Sequence, residues 1–257
     1  MMERFRHHSG ECVVVDGAKI YYEQTEERDG LPVVFLHGGL GSIEDFLPMI
    51  DRMSESFRCI GIDSRGHGKS TLGDGVLNYE RLMRDVEAVL SHLCVTACNV
   101  VGFSDGGIVG YRLAIDRPGL VKKLVTIGSD WNPPVGKVRE IYAGLTAASW
   151  GEMFPESVAL YERLNPDADF SRLVGEIVSM WLDESDAGYP KARIKSIACR
   201  TLFIRGDQDF LVPRSVLGEI DEMLPGAHVF NIPFTGHAAV HEQGEMVGVV
   251  IEKFLSE

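Results

Sequence analysis

The run Cys98-Asn99-Val100-Val101-Gly102-Phe103-Ser104-Asp105-Gly106-Gly107-Ile108-Val109-Gly110-Tyr111-Arg112-Leu113-Ala114-Ile115 opens as a buried strand and closes as a helix. A glycine-flanked serine stands at the join. Cys98 to Val101 is short and mostly apolar, the composition of a strand covered on both faces. From Gly107 the apolar residues recur at helical spacing. Gly-x-Ser-x-Gly between a strand and a helix is the signature of a nucleophile elbow, a turn so sharp that the serine side chain stands clear above the sheet. Gly102 and Gly106 are small because side chains there would collide with the neighbouring strand and helix. Other glycine-rich turns also carry serines, so the reading depends on partners farther along the chain.

A serine hydroxyl attacks a carbonyl only with a base in hydrogen-bond reach, and the base needs an orienting acid. Behind such an elbow the chain order is serine, acid, histidine. Arg200-Thr201-Leu202-Phe203-Ile204 reads as a strand that runs into Arg205-Gly206-Asp207-Gln208-Asp209. Ala227 to Ile232 reads as another, followed by Pro233-Phe234-Thr235-Gly236-His237. Ser104, an acid and His237 therefore follow separate strands in the required order. Asp209 is favoured as the acid because it lies far enough out for its side chain to swing toward the histidine. Asp207 ranks second and suits a turn held by its own backbone. Asp130, after a strand ending at Ile127, ranks third.

An oxyanion hole needs two donors aimed at the developing charge. The expected pair is the backbone N–H groups of Asp105 and Gly39, with Leu40 as alternate to Gly39. His37, in His37-Gly38-Gly39-Leu40-Gly41, reads as shaping that loop. His237 and His241 have a spacing that can bind zinc, but Ala238-Ala239-Val240 lacks the glutamate of a His-Glu-x-x-His site. No metal and no cofactor are expected.

At 257 residues, with 45% hydrophobic residues, the chain is long enough for one large α/β core. Its net charge of −13 disfavours nucleic acid and anionic membranes as partners. The N-terminal Met1-Met2-Glu3-Arg4-Phe5-Arg6-His7-His8 lacks a signal-peptide core, and no apolar run reaches the ~20 residues of a membrane span. The five scattered cysteines read as reduced thiols, so a cytoplasmic location is expected. Monomer and homodimer fit equally well.

Outward from the elbow, short apolar strands alternate with helices, the pattern of a mostly parallel sheet covered on both faces. Glu11 to Val15 and Lys19 to Gln24 form a hairpin, and Pro32 to Leu36 and Arg58 to Ile62 are strands. Ile43 to Met53, Tyr79 to His92, Val216 to Met223 and Met246 to Leu255 are helices. Between Trp131 and Pro190 no strand is evident. Residues 1–130 and 191–257 are expected to form the core, with 131–190 as an inserted helical cap over the strand ends, where open α/β sheets bind ligands. Trp131, Trp150, Phe154 and Trp181 from the cap, with Leu40 from the core, are expected to line a substrate pocket.

These motifs together resemble the α/β-hydrolase superfamily over nearly the whole chain. The resemblance rests on His37-Gly38-Gly39-Leu40-Gly41-Ser42, Asp63-Ser64-Arg65-Gly66-His67-Gly68-Lys69-Ser70, the elbow, Gly206-Asp207-Gln208-Asp209 and Gly236-His237. It implies an eight-stranded, mostly parallel sheet flanked by helices. Asp63 to Ser70 resembles the family's Asp-x-Arg-Gly-x-Gly-x-Ser loop, a structural turn beside the site. Gly102 to Gly107 and Gly206-Asp207-Gln208-Asp209-Phe210-Leu211-Val212-Pro213 are similar to the valacyclovir-hydrolase (biphenyl-hydrolase-like) group. That similarity implies Asp209 as the acid and an Asp105 side chain that receives a substrate ammonium. The local alternative for Asp105 is an acid suited to the first turn of a helix. The implied function is cleavage of a small carboxylic ester, a lactone or an amino-acid ester through an acyl-enzyme on Ser104. Enol-lactone hydrolysis, carbon–carbon bond hydrolysis and cofactor-free perhydrolysis run on the same residues and stay open. So does a non-catalytic small-molecule receptor on this scaffold.

Overall fold

A computed structural model describes residues 4–257. Met1 to Glu3, part of the N-terminal stretch read above, lie outside the described residues. The strands are β1 (Glu11–Val15), β2 (Ala18–Gln24), β3 (Val33–Leu36), β4 (Cys59–Ile62), β5 (Cys98–Phe103), β6 (Val121–Ile127), β7 (Arg200–Gly206) and β8 (His228–Ile232). They form one 8-stranded sheet in the order β1-β2-β4-β3-β5-β6-β7-β8. β1 with β2 and β2 with β4 are antiparallel, and every other neighbouring pair is parallel. β3, β4 and β5 are buried along their whole length, which is why they read as unbroken apolar runs.

The helices are α1 (Leu47–Ser56), α2 (Tyr79–His92), α3 (Asp105–Asp116), α4 (Gly136–Ala143), α5 (Ala147–Met153), α6 (Pro155–Leu164), α7 (Phe170–Trp181), α8 (Val216–Met223), α9 (Ala239–Glu242) and α10 (Gly244–Ser256). α1 and α10 pack over one face of the sheet, burying Met49, Ile50, Met53, Val247 and Ile251 against Phe35 and Val101. α2, α3 and α8 cover the other face, where Leu82, Val86, Ile108, Val109 and Ile220 meet Val34, Val100 and Phe203. α4 to α7 all fall between β6 and β7, and no strand interrupts them. No described helix is long and apolar enough to cross a membrane.

Most boundaries shift by a residue or two from the periodicity, and two of the shifts have a clear local cause. The helix expected over Ile43 to Met53 is a 3₁₀ turn at Ile43–Phe46 followed by α1. Pro48, with no N–H to donate, sits in the first turn of α1 and restarts the helix there. α3 begins at Asp105, before Gly107, because the chain turns directly from strand to helix at Ser104.

The N-terminal segment is anchored by charge as well as packing. Phe5 is buried edge-on to Phe35, with ring centroids 5.7 Å apart. His7 Nε2 lies 2.8 Å from Asp63 Oδ2, and its Nδ1 lies 3.1 Å from Glu44 Oε1. Asp63 is fully buried and also accepts the Ile43 N–H at 3.0 Å and the Lys69 N–H at 2.8 Å. Burial alone would lower the His7 pKa, but the hydrogen bonds and charges of Asp63 and Glu44 outweigh it and raise the value to about 9. A raised histidine pKa stabilises the fold fully below the ordinary 6.5 and ceases to do so as pH rises through about 9. His7→Asn should therefore cost roughly 3–5 kcal/mol near pH 6, because it strands a buried carboxylate. The gap from the parent protein should narrow steadily up to pH 10 in urea unfolding; a gap that widens with pH would refute the pairing.

Candidate active site

Ser104 sits at φ 50°, ψ −116°, in the left-handed region that side chains rarely adopt. Its N–H donates to the Ile127 carbonyl at 2.8 Å. A Cβ on Gly102 would come within 2.4 Å of the Gly106 carbonyl oxygen, and one on Gly106 within 2.0 Å of the Leu36 carbonyl oxygen. The glycines are thus required by backbone approaching backbone.

From this turn Ser104 Oγ reaches His237 Nε2 at 3.0 Å. His237 Nδ1 lies 3.1 and 3.0 Å from the two carboxylate oxygens of Asp209. An ionised Asp209 accepts, so Nδ1 carries the ring proton and Nε2 is left to accept from the serine. Asp209 also accepts the N–H groups of Leu211 at 2.9 Å and Val212 at 3.1 Å, which fixes its orientation. Asp207 instead lies 3.4 Å from the Thr235 N–H, across the turn. Asp130 accepts the Asn132 N–H at 2.9 Å, and burial pushes its pKa up to about 6.

Arg205, which the sequence reading passed over, braces the acid loop. Its guanidinium donates to the carbonyls of Asp209 at 3.1 Å and Val212 at 3.2 Å, and to Asn231 Oδ1 at 2.8 Å. The signal was available: an arginine inside an apolar strand must bring its own acceptors.

The glycine loop after β3 is held by two neutral imidazoles. His37 Nδ1 donates to the Gly38 carbonyl at 2.7 Å, and its Nε2 accepts the Ser64 N–H at 2.9 Å. His67 Nε2 accepts the Leu40 N–H at 3.0 Å. Burial drops the His67 pKa to about 3 and keeps it an acceptor. Leu40, the alternate oxyanion donor, is thereby occupied. The N–H groups of Gly39 and Asp105 donate to no described residue.

Asp105 lies in the first turn of α3, as the local alternative expects, but its carboxylate also makes contacts that neither expectation included. The Trp181 indole N–H lies 2.9 Å from each carboxylate oxygen, and the Tyr79 hydroxyl donates at 2.8 Å. Burial raises its pKa, while these donors pull it back. The carboxylate thus joins α2 and α7 to the elbow, and both its oxygens are engaged before any substrate arrives. Gly39 lies against the same cluster: a Cβ there would stand 2.5 Å from Asp105 Oδ2 and 2.7 Å from Trp181 Cζ2.

Two cavities flank Ser104 and His237. One, of about 500 Å³, is walled by Leu40, Ile141, Leu145, Trp150, Phe154 and Trp181. The other, of about 430 Å³, is bounded by Asp105, Asp130, Val138, Val212 and Glu219. Four expected pocket residues, Leu40, Trp150, Phe154 and Trp181, lie on the apolar wall. Trp131 does not. It is 0% exposed and packs on Phe203, with centroids 6.2 Å apart, so it belongs to the core beneath the cavities.

Strand order, elbow and acid–base chain together define an α/β-hydrolase architecture. Residues 32–164 match the alpha/beta hydrolase fold family, and the chain belongs to it. It is therefore a member of a family of hydrolytic enzymes. Human serine hydrolase BPHL is 27% identical over 88% of this chain and 79% of its own length. A putative esterase/lipase of Haemophilus influenzae is 25% identical over 92% of this chain and 87% of its own. Among solved structures, the enol-lactonase of Burkholderia xenovorans LB400 superposes with a TM-score of 0.77 at 20% identity, covering 96% of this chain and 100% of that one.

The Asp105 cluster makes a stability prediction. Asp105→Ala leaves the Trp181 indole N–H buried without an acceptor, at a cost of about 1–3 kcal/mol. A lowered urea midpoint with an altered tryptophan near-UV spectrum is expected. An unchanged midpoint would mean the contact does not hold α7.

Proposed function

We propose that the protein is a cofactor-free carboxylic ester hydrolase that works through an acyl-enzyme on Ser104. The observation that carries the reading is the continuous chain from Ser104 Oγ through His237 to Asp209, at 3.0 Å and 3.0–3.1 Å. His237 Nε2 removes the hydroxyl proton as Oγ attacks the ester carbonyl. The carbonyl oxygen, now negative, takes hydrogen bonds from the undonated Asp105 and Gly39 N–H groups. Asp105 N–H also opens α3, so the helix dipole favours charge there. His237 then returns the proton to the leaving oxygen. Water, activated by the same imidazole, cleaves the acyl-enzyme and frees the acid. Asp209 holds the ring in the correct tautomer and stabilises its charged form.

The helical segment 131–190 serves as the cap, and its apolar wall suits the apolar half of a small ester or lactone. A substrate ammonium would have to share the Asp105 carboxylate with Trp181 and Tyr79, so esters without an α-amino group are favoured over amino-acid esters. The Haemophilus esterase/lipase name supports ester hydrolysis as the class, and the BPHL name supports a serine hydrolase.

A fluorophosphonate should label the intact protein at Ser104, and Ser104→Ala should abolish both labelling and p-nitrophenyl acetate turnover. Asp209→Asn should lower kcat by about ten-thousandfold. Turnover that survives Ser104→Ala would overturn the mechanism.

A further inference from the structure

Ser104, Tyr142 and His237 are the residues that line both cavities. Ser104 and His237 follow strands of the sheet, whereas Tyr142 lies on α4 in the helical segment between β6 and β7. Any substrate that fills both spaces therefore lies against both the nucleophile and this phenol. The Tyr142 ring lies on Trp181, with centroids 4.5 Å apart and planes 31° apart. Trp181 is in turn fixed by its hydrogen bonds to Asp105. The ring is held in place from behind.

Its hydroxyl is another matter. Tyr21, Tyr22, Tyr79, Tyr111, Tyr161 and Tyr189 each have a hydrogen-bond partner for the hydroxyl. Tyr142 has none among the described residues, although it is the one at the junction of the two cavities. The half-buried Tyr142 leaves its hydroxyl open to the cavities, where a ligand that supplies an acceptor gains a hydrogen bond. Burial pushes the phenol well above its usual pKa, and Tyr189, Asp105, Asp209 and Asp130 nearby push the same way. The group is therefore a neutral donor.

We propose that Tyr142 is a further substrate-binding residue, whose phenol O–H donates a hydrogen bond to an oxygen of a substrate spanning both cavities above Ser104. The inference rests on the ester-hydrolase reading of that site. The acceptor is either the ester group's own oxygen or one on the adjoining acyl carbon. In both cases the site favours oxygen-bearing acyl compounds over analogues that offer no acceptor there.

The test separates binding from turnover. In a Ser104→Ala background, p-nitrophenyl butyrate and p-nitrophenyl methoxyacetate, nearly equal in shape, bind without being cleaved. Calorimetry gives each Kd with and without Tyr142→Phe, which keeps the ring on Trp181 and removes the hydroxyl. Weakening of about tenfold for both esters assigns the contact to the ester oxygen; weakening confined to the methoxyacetate assigns it to the acyl oxygen. Either result supports the proposal, provided that Tyr142→Phe leaves the Tm unchanged. Equal Kd values with and without the hydroxyl overturn it, as does a failure of both esters to bind while the hydroxyl is present. Fluorophosphonate labelling of the parent protein reports separately on Ser104, so the hydrolase reading can fail while the Tyr142 effect persists.

Discussion

The chain cannot pass from β5 to α3 without holding Ser104 in a backbone conformation that costs on the order of 1–3 kcal/mol. That strain is set by the geometry around it. Gly102, Gly106 and Gly107 bring α3 so close to the strands that a Cβ on Gly107 would stand 2.0 Å from Ser129 Oγ. The Ser104 N–H is tied to Ile127, and its carbonyl accepts the Ser129 hydroxyl at 2.8 Å. These contacts offset the strain and leave the side chain one direction to point, above the sheet edge. The same turn leaves the Asp105 N–H unused at the start of a helix. In the proposed mechanism, nucleophile and oxyanion donor are two consequences of one bend.

The remaining groups are brought to that bend by strand ends and then fixed by polar contacts that use no charge in the reaction. Arg205 fastens the loop carrying Asp209. His37 and His67 fasten the loop carrying Gly39. Asp105 fastens α7, and through Trp181 the ring of Tyr142. In the proposed mechanism the residue after Ser104 thus has two separate duties: its backbone N–H faces the reacting carbonyl, while its side chain holds Trp181. Such preorganisation lets the site stabilise developing charge without rearranging as the reaction proceeds.

Much of this was readable from residue order because it depends on local rules. The elbow glycines and the buried strands follow from spacing within a short window, and the serine–acid–histidine succession from the order of short motifs that each follow a strand. The choice between Asp207 and Asp209 also followed from distance along one loop. What escaped the sequence depends on contacts between distant segments. Trp131 and Trp181 look alike in a linear string, yet one packs on Phe203 and the other faces a cavity. The partners of the Asp105 side chain lie 26 and 76 positions away, so its anchoring contacts had no local signal. The lone hydroxyl of Tyr142 has no sequence signal, since a missing partner is visible only once every neighbour is placed.

The central claim is that Ser104 becomes acylated. Mixing the protein with a p-nitrophenyl ester, quenching in acid within the first turnover and weighing the intact chain tests it directly. The account predicts a mass increase of one acyl group, mapped to the peptide holding Ser104 and lacking in Ser104→Ala. Product formed at full rate with no such adduct, from both the parent protein and the alanine variant, would contradict it.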